Sequence, residues 1–240
     1  MQDNLEDMYE EPKLNVHSIF ESISGEAGGF PQGTWTTFIR FFGCNLRCNW
    51  CDTKQAYDNK TEEGLGFMTP SEILSKVTNK HVLITGGEPL YQKENVIHLI
   101  MHLLCKGCKV QVETNGSIEL PLYSFNEPVE WVMDYKCPSS GMSKFMLPPQ
   151  LLSRNIEKCR KLGGHVYTKW VVADGDDLDF AIDHITQLRE CGYYGQHIIS
   201  PIDAKGDMIK GIVEILKVHH PEILEDIIFS VQMHKVINMP

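Results

Sequence analysis

A chain of 240 residues, 42% hydrophobic and 22% charged, has the composition of a folded protein able to bury a sizeable core without covalent staples. Its formal charge of −10, with no long basic run, argues against a sequence-independent grip on nucleic-acid phosphates. No apolar run reaches the ~18 residues of a membrane span, and the acidic opening MQDNLEDMYEEPK is the opposite of a secretory n-region. The chain therefore reads as cytoplasmic, without a membrane or nucleic-acid partner. In that reducing setting, eight cysteines are free thiols or metal ligands rather than disulfides.

Residues 1–13 read as a loose acidic leader, and 14–240 as a single domain. NVHSIFESI (15–23) and WTTFIRFFG (35–43) are rich in β-branched and aromatic residues and predict strands. A cysteine-rich loop follows, then a polar, glycine-bearing connection over 59–69. TPSEILSKV starts a helix, with Thr69 as cap, Pro70 at the first helical position and Glu72 in the first turn. HVLIT (81–85) is a short buried strand ending at Gly86-Gly87. ENVIHLIMHLLCKG predicts a helix stopped at Gly107. KVQVET and VEWVMDY are strands, and 138–150 is a proline-bearing loop. LLSRNIEKCRKLGG is a helix closed by Gly163, HVYTKWVVA a strand, and DLDFAIDHITQLRECG a helix capped by Asp177. HIISPI, GDMIKGIVEILKVHH and EDIIFSVQMHK complete the chain as strand, helix and strand.

The alternation predicts an α/β fold with a parallel sheet and helices packed outside. About six β–α units fall short of the eight of a closed barrel, so an open, partial barrel is expected. Chemistry in such sheets gathers at the carboxyl ends of the strands. The cysteine loop, Gly86-Gly87-Glu88, Glu113-Thr114-Asn115 and Ser200-Pro201 all follow predicted strand ends and would share one rim.

FFGCNLRCNWCDT (41–53) spaces its thiols as Cys44-x3-Cys48-x2-Cys51. Thiolates suit iron–sulfur clusters and zinc. Three protein ligands leave a metal position open, the mark of a site that binds something, whereas structural zinc sites close all four. The alternative is a zinc knuckle completed from elsewhere, with His17 or Cys137 as candidates. Cys105 and Cys108 form a second C-x2-C pair with no partner thiols and read as incidental. Cys137, Cys159 and Cys191 are isolated, and the last two read as packing residues.

The cysteine spacing after a strand, followed by a strand ending in Gly-Gly-Glu-Pro (86–89), resembles the radical S-adenosylmethionine (SAM) superfamily. SIFESISGEAGGFPQGTWTTFIRFFGCNLRCNWCDT, ITGGEPL, VETNGS and QMHKVINMP are similar to segments of the 7-carboxy-7-deazaguanine synthases. That resemblance covers the N-terminal third well and returns in islands to residue 240. It implies a partial (β/α)6 barrel and a lyase that converts 6-carboxy-5,6,7,8-tetrahydropterin to 7-carboxy-7-deazaguanine with loss of ammonia, a step toward queuosine. It also implies a [4Fe–4S] cluster on Cys44, Cys48 and Cys51, SAM on its open iron, Mg2+ at Thr53, a flavodoxin or ferredoxin as electron donor, and a homodimer.

The same resemblance assigns SAM contacts to Trp50, Cys51, Asp52, Gly86, Gly87, Glu88, Ser139 and Ser200. It assigns pterin contacts to Ile23, Ser24, Gly25, Glu26, Arg40, Thr85, Glu113, His234 and the terminal Pro240. Arg40 stands alone in an otherwise apolar strand, and a guanidinium gives a bidentate grip on a carboxylate. Glu26 and Glu113 suit the paired N–H donors of an aminopyrimidinone edge. The family reads Ser-Ile-Gln-Gly-Glu-Gly near its start, whereas this chain has Ser24 for the glutamine and Ala27 for the second glycine. Losing that amide leaves room for a related substrate. Two other readings compete: a glycyl-radical activase, which has no use for Arg40, Thr53 or Pro240, and a non-enzymatic zinc module, which gives Gly86-Gly87-Glu88 no role.

Overall fold

The structure, a computed structural model, describes residues 11–57, 64–202 and 206–237, the side chains of His234 and Lys235 excepted. Among them nine strands form one sheet: β1 (Leu14–Ile23), β2 (Trp35–Phe41), β3 (Gly66–Met68), β4 (His81–Gly86), β5 (Lys109–Thr114), β6 (Val129–Asp134), β7 (His165–Val172), β8 (His197–Pro201) and β9 (Ile227–Phe229). The order is β3-β1-β2-β4-β5-β6-β7-β8-β9. From β2 onward every pairing is parallel, while β1 runs antiparallel to both β2 and β3.

Helices α1 (Pro70–Ser75), α2 (Lys93–Cys105), α3 (Pro149–Lys161), α4 (Gly175–Glu190), α5 (Gly206–His219), α6 (Pro221–Leu224) and α7 (Met233–Ile237) join or follow the strands. The expected open α/β barrel is the architecture found. No helix among the described residues is long and apolar enough to cross a membrane.

The start of α1 is as expected. Thr69 accepts from the Glu72 backbone N–H, and the Glu72 side chain answers on the Thr69 N–H, a closed capping box. Elsewhere the elements differ in four places. The connection over 59–69 contains β3, three residues too short to announce themselves, held by Leu14 opposite Met68. Asp177 is not the cap of α4. Asp174 caps it, and Asp177 lies one turn in, buried, accepting from the backbone N–H of Ser139 and of Ala173. The helical residues after His219 include α6, with Pro221 at its first turn. Finally, the strand expected over 225–235 stops at Phe229. The Ser230 N–H still reaches the Ile199 carbonyl, but the Met233 N–H turns to the Gly25 carbonyl and α7 follows.

Strand alternation builds the two sides of the sheet. Ile39, Phe41, Val82, Ile84, Trp131, Met133, Trp170 and Val172 point outward into one continuous core under the helices. The residues between them point into the barrel: Phe38, Arg40, Leu83, Thr85, Glu113, Asp134, Lys169 and Val171. Register aligns them as a layer, with Arg40 opposite Thr85 and Asp134 opposite Lys169.

The loop after β1 fills the opposite end of the barrel. Gly28 and Gly29 pass against Gln111, Val132 and Glu130 where a Cβ would clash. Phe30 is buried beyond them, its N–H on Gln111 Oε1 at 2.9 Å and its ring edge-on to His81. The same loop is stitched to the chain's last described turn. The Ala27 N–H donates to Ser230 Oγ at 2.9 Å, Gln232 Nε2 to Glu26 Oε1 at 2.7 Å, and Gln32 Nε2 to the carbonyls of Gly25 and Val231.

Candidate active site

The mouth of the barrel is a cleft with about 1300 Å³ of free space, open solvent at its rim included. Cys44, Cys48 and Cys51 line it together, all half-buried free thiols. Burial pushes the Cys44 and Cys48 thiols up, and for Cys48 the nearby Lys136 ammonium pulls back. The loop is tied around them. The Leu46 N–H donates to Cys44 Sγ at 3.4 Å, the Thr53 N–H to Cys51 Sγ at 3.4 Å, and the Tyr57 hydroxyl to the Cys48 carbonyl at 3.2 Å.

Among the described residues no three histidine, cysteine or acidic side chains converge closely enough to hold one metal ion. The three thiols share one cleft wall, a donor set that suits a thiolate-bound iron–sulfur cluster. Neither candidate for a fourth zinc ligand serves. Cys137 is fully buried with its thiol pushed up by burial, and His17 packs edge-on to Phe42 at 4.8 Å; neither lines the cleft.

Gly86 and Gly87 line the cleft, and their first duty is to let two strand ends meet. Gly86 has φ +126°, and a Cβ on it would fall 2.2 Å from the Phe41 nitrogen; on Gly87 it would fall 2.2 Å from the Gly43 carbonyl oxygen. The contact allows the Gly87 N–H to reach the Phe41 carbonyl at 2.9 Å and the Glu88 N–H to reach the Gly43 carbonyl at 2.8 Å. Gly86→Ala should therefore lower stability by roughly 2–4 kcal/mol. Gly33, also at positive φ but with open space around it, should lose only about 1–2 kcal/mol as Gly33→Ala. Thermal unfolding of the two variants side by side checks the difference.

Glu88 differs from its expected part. Its carboxylate is fully buried and already engaged, Oε1 by the Leu90 N–H and Thr114 hydroxyl at 2.8 Å each, and Oε2 by the Asn115 N–H at 2.6 Å. It fastens the end of β4 to the end of β5 from behind the wall. Asn115 emerges on the cleft side, its amide donating to Asn45 Oδ1 at 2.9 Å and lying 3.7 Å from Cys44 Sγ.

Charge is concentrated on the inner layer. Arg40 is half-buried, its guanidinium carbon 4.9 Å from the centre of the Phe20 ring. Its Nε is enclosed without a hydrogen-bond partner. Burial lowers its pKa, opposed by the charges of Asp52 and Glu113. Glu113 accepts from the Thr85 hydroxyl at 3.1 Å, and burial together with Asp134 pushes it up to about 7. Asp134 accepts from Lys136 at 2.6 Å and faces Lys169 at 3.6 Å, while Lys169 also pairs with Glu26.

The cleft thus gathers Ile23, Gly25, Glu26, Arg40, the three cysteines, Trp50, Asp52, Thr53, Thr85, Gly86, Gly87 and Glu113 from the expected set. Ser139 stands behind Trp50, accepting from its indole N–H at 3.1 Å. Ser24 and Ser200 are buried off the cleft wall, the Ser24 hydroxyl turned to the Glu26 carbonyl at 3.4 Å. The His234 side chain and Pro240 lie outside the described residues.

Asn115 lines the cleft as its place after a strand end predicts, while Lys136, Lys169, Asp134 and Gln232 line it without having been expected there. One of them carries the mark that singled out Arg40: Lys169 is the lone charge in VYTKWVV, whereas Asp134 shares VEWVMDY with Glu130. Gln232 carries no such mark.

A three-cysteine loop at the mouth of an open parallel barrel, backed by a Gly-Gly turn, defines a site of the radical SAM class. The Radical SAM superfamily model matches residues 38–179, more than half the chain. Within that superfamily the chain belongs to the 7-carboxy-7-deazaguanine synthases. It is 36% identical to the 7-carboxy-7-deazaguanine synthase of Clostridium acetobutylicum over 228 residues, 92% of this chain and 94% of the relative. It is 32% identical to that of Methanospirillum hungatei over 231 residues, 95% and 86% of the two. The crystal structure of QueE from Escherichia coli shares the fold, with a TM-score of 0.62 at 21% identity over 92% of this chain and 95% of that one. The chain is accordingly a radical SAM enzyme of the lyase type, and its family implies a [4Fe–4S] cluster and SAM.

Proposed function

We propose that the chain, residues 14–240 acting as one catalytic domain, converts 6-carboxy-5,6,7,8-tetrahydropterin to 7-carboxy-7-deazaguanine with release of ammonia. The observation that carries the substrate assignment is Arg40. It is an enclosed guanidinium with an unpartnered Nε, aimed into the same cleft as the three cysteines and faced by carboxylates. An anionic planar ligand would supply the missing acceptor.

Cys44, Cys48 and Cys51 would hold the cluster, and three free thiols lining one cleft suit that group's thiolate ligation. When bound, the cluster and SAM supply a one-electron reduction that ends in a carbon-centred radical. The rest falls to the protein's own side chains. Trp50, Asp52, Gly86 and Gly87 would bound the SAM pocket, with Ser139 steadying Trp50. Glu88 and Ser200 would act only from behind it. Arg40 would grip the pterin carboxylate, and Glu113, Glu26 and Thr85 would meet the N–H groups at its other edge, with Ile23, Ser24 and Gly25 shaping that end. His234 and Pro240 complete the proposed substrate set.

Thr53 would offer one hard oxygen to Mg2+ beside the carboxylate, a sparse protein contribution suited to an ion that keeps several waters. A flavodoxin or ferredoxin as donor suits the exposed cations Arg47 and Lys54 beside the cysteine loop. Homodimer assembly and a cytoplasmic setting belong to the same proposal.

Anaerobic reconstitution with iron and sulfide, followed by SAM, reductant, Mg2+ and the pterin, tests it; the expected product is 7-carboxy-7-deazaguanine by mass. A loaded protein that cleaves SAM and leaves the pterin unchanged would refute the substrate. Glu113 adds a pH signature. Below about 7 its acid is largely neutral, and above about 7 it is the carboxylate that accepts N–H donors. The pterin KM should fall as pH rises through that range, by at most about tenfold per unit on the acid side. Glu113→Gln should give a weaker, flat profile.

A further inference from the structure

Lys136 has no part in the scheme above, yet it is placed with care. It follows β6, is 7% exposed, and lines the cleft alongside all three cysteines. Its ammonium lies 2.6 Å from Asp134 Oδ2 and 5.2 Å from the centre of the ring of Trp50, the residue before Cys51. The two segments are laced together. The Trp50 indole donates to Ser139 Oγ at 3.1 Å, the Asn49 side chain to the Ser139 carbonyl at 3.0 Å, and the Asn49 N–H to the Ser140 carbonyl at 3.0 Å.

Lys136 is therefore fixed relative to the cysteine loop rather than free to reach solvent. Its ammonium shares the cleft wall with Cys44, Cys48 and Cys51. The other charges facing the Lys136–Asp134 pair are Lys169, 3.6 Å from the second Asp134 oxygen, and the buried Glu88 and Glu113. Holding an ammonium in a desolvated wall is costly, and an ion pair alone gives little return for it.

We propose that Lys136, held by Asp134 and the face of Trp50, is an electrostatic positioning residue that raises the reduction potential of the cluster bound at Cys44, Cys48 and Cys51. This rests on the assignment of those cysteines to a cluster. The couple is one electron taken from an external reductant, with no bond made or broken. Added negative charge on a thiolate-bound cluster is stabilised by a fixed cation nearby and destabilised by a fixed anion, and net charge is among the determinants of such potentials.

The test is a mediated potentiometric titration of the full, anaerobically reconstituted chain, followed by electron paramagnetic resonance in the absence of SAM. Lys136→Met should keep its iron and sulfide and show a lower midpoint, with at least a tenfold smaller reduced-to-oxidised ratio at fixed potential, about 59 mV for a one-electron couple. Lys136→Arg should stay near the parent value. Asp134→Asn should move the midpoint upward. An unchanged midpoint in a fully loaded Lys136→Met overturns the proposal, as does a shift of both variants in one direction. If Lys136→Met does not retain its cluster, Asp134→Asn decides: a midpoint that stays or falls is again a refutation. A parent chain that takes up no cluster overturns the cysteine assignment first and this inference with it.

Discussion

Arg40→Ala should reduce pterin turnover by about a hundred- to a thousandfold while iron content and reductive SAM cleavage stay close to the parent level. The magnitude follows from losing a desolvated, charge-assisted grip on a carboxylate, ~3–4 kcal/mol. The separation of effects follows from where Arg40 sits. It belongs to β2 on the inner layer, opposite Thr85, and its enclosed Nε has no hydrogen-bond partner. Arg40→Lys should rescue poorly, because an ammonium keeps the charge but loses the planar fork. The variant should also displace the pH profile. Arg40 is one of the groups holding the Glu113 acid down against burial, Asp134 and Asp52. Without it the Glu113 midpoint moves higher, so the residual KM profile should shift to more alkaline pH. Steady-state kinetics across pH, with iron and 5′-deoxyadenosine quantified in parallel, separates the two roles. Equal loss of pterin turnover and cluster loading would make Arg40 a structural residue.

Alanine at any one of Cys44, Cys48 or Cys51 should abolish both cluster loading and SAM cleavage, to the detection limit of each assay. In the proposed site three thiolates are the whole protein contribution, so no redundancy remains. Alanine at Cys137 or Cys159 should leave loading intact. Both are buried in the apolar core, and burial pushes their thiols up. Cys159→Ala removes a packed sulfur beside Gly164, so a loss of stability of about 1 kcal/mol is expected there without loss of colour. Iron and sulfide analysis of the five variants, purified without oxygen, discriminates this pattern from a zinc knuckle, in which Cys137→Ala would be as damaging as Cys44→Ala.

Much of this was legible in the sequence because local chemistry marked it. The cysteine spacing, the Gly-Gly turn after an apolar strand and the capping box at Thr69 are each short-range patterns with one physical meaning. Arg40 stood out because a lone charge in an apolar strand must point somewhere special. Lys169 obeys the same logic, but a strand with one polar side reads equally well as a strand with one wet face. Only curvature turns that face into the inside of a barrel. Glu88 shows the converse limit. A glutamate after Gly-Gly at a strand end looks aimed at the rim, and nothing local reveals that Leu90, Thr114 and Asn115 hold it from behind. The end of β9 was overread because IIFSVQMHK keeps an apolar rhythm past the point where Met233 turns back to Gly25.

The stitch between the loop after β1 and the segment after β9 joins residues 203 and 206 positions apart. Contacts of that span form late, since nearly the whole chain must be ordered before they reward the closure. Synthesis proceeds from the other end, so Glu26 waits for Gln232 until translation is all but finished. The proposed substrate pocket is therefore a completion mark. A chain stalled or clipped before residue 230 carries its cysteine loop, β4 and β5, yet it lacks the partners that settle the pterin end. Such a fragment would hold every proposed cluster ligand and still leave the pterin end open.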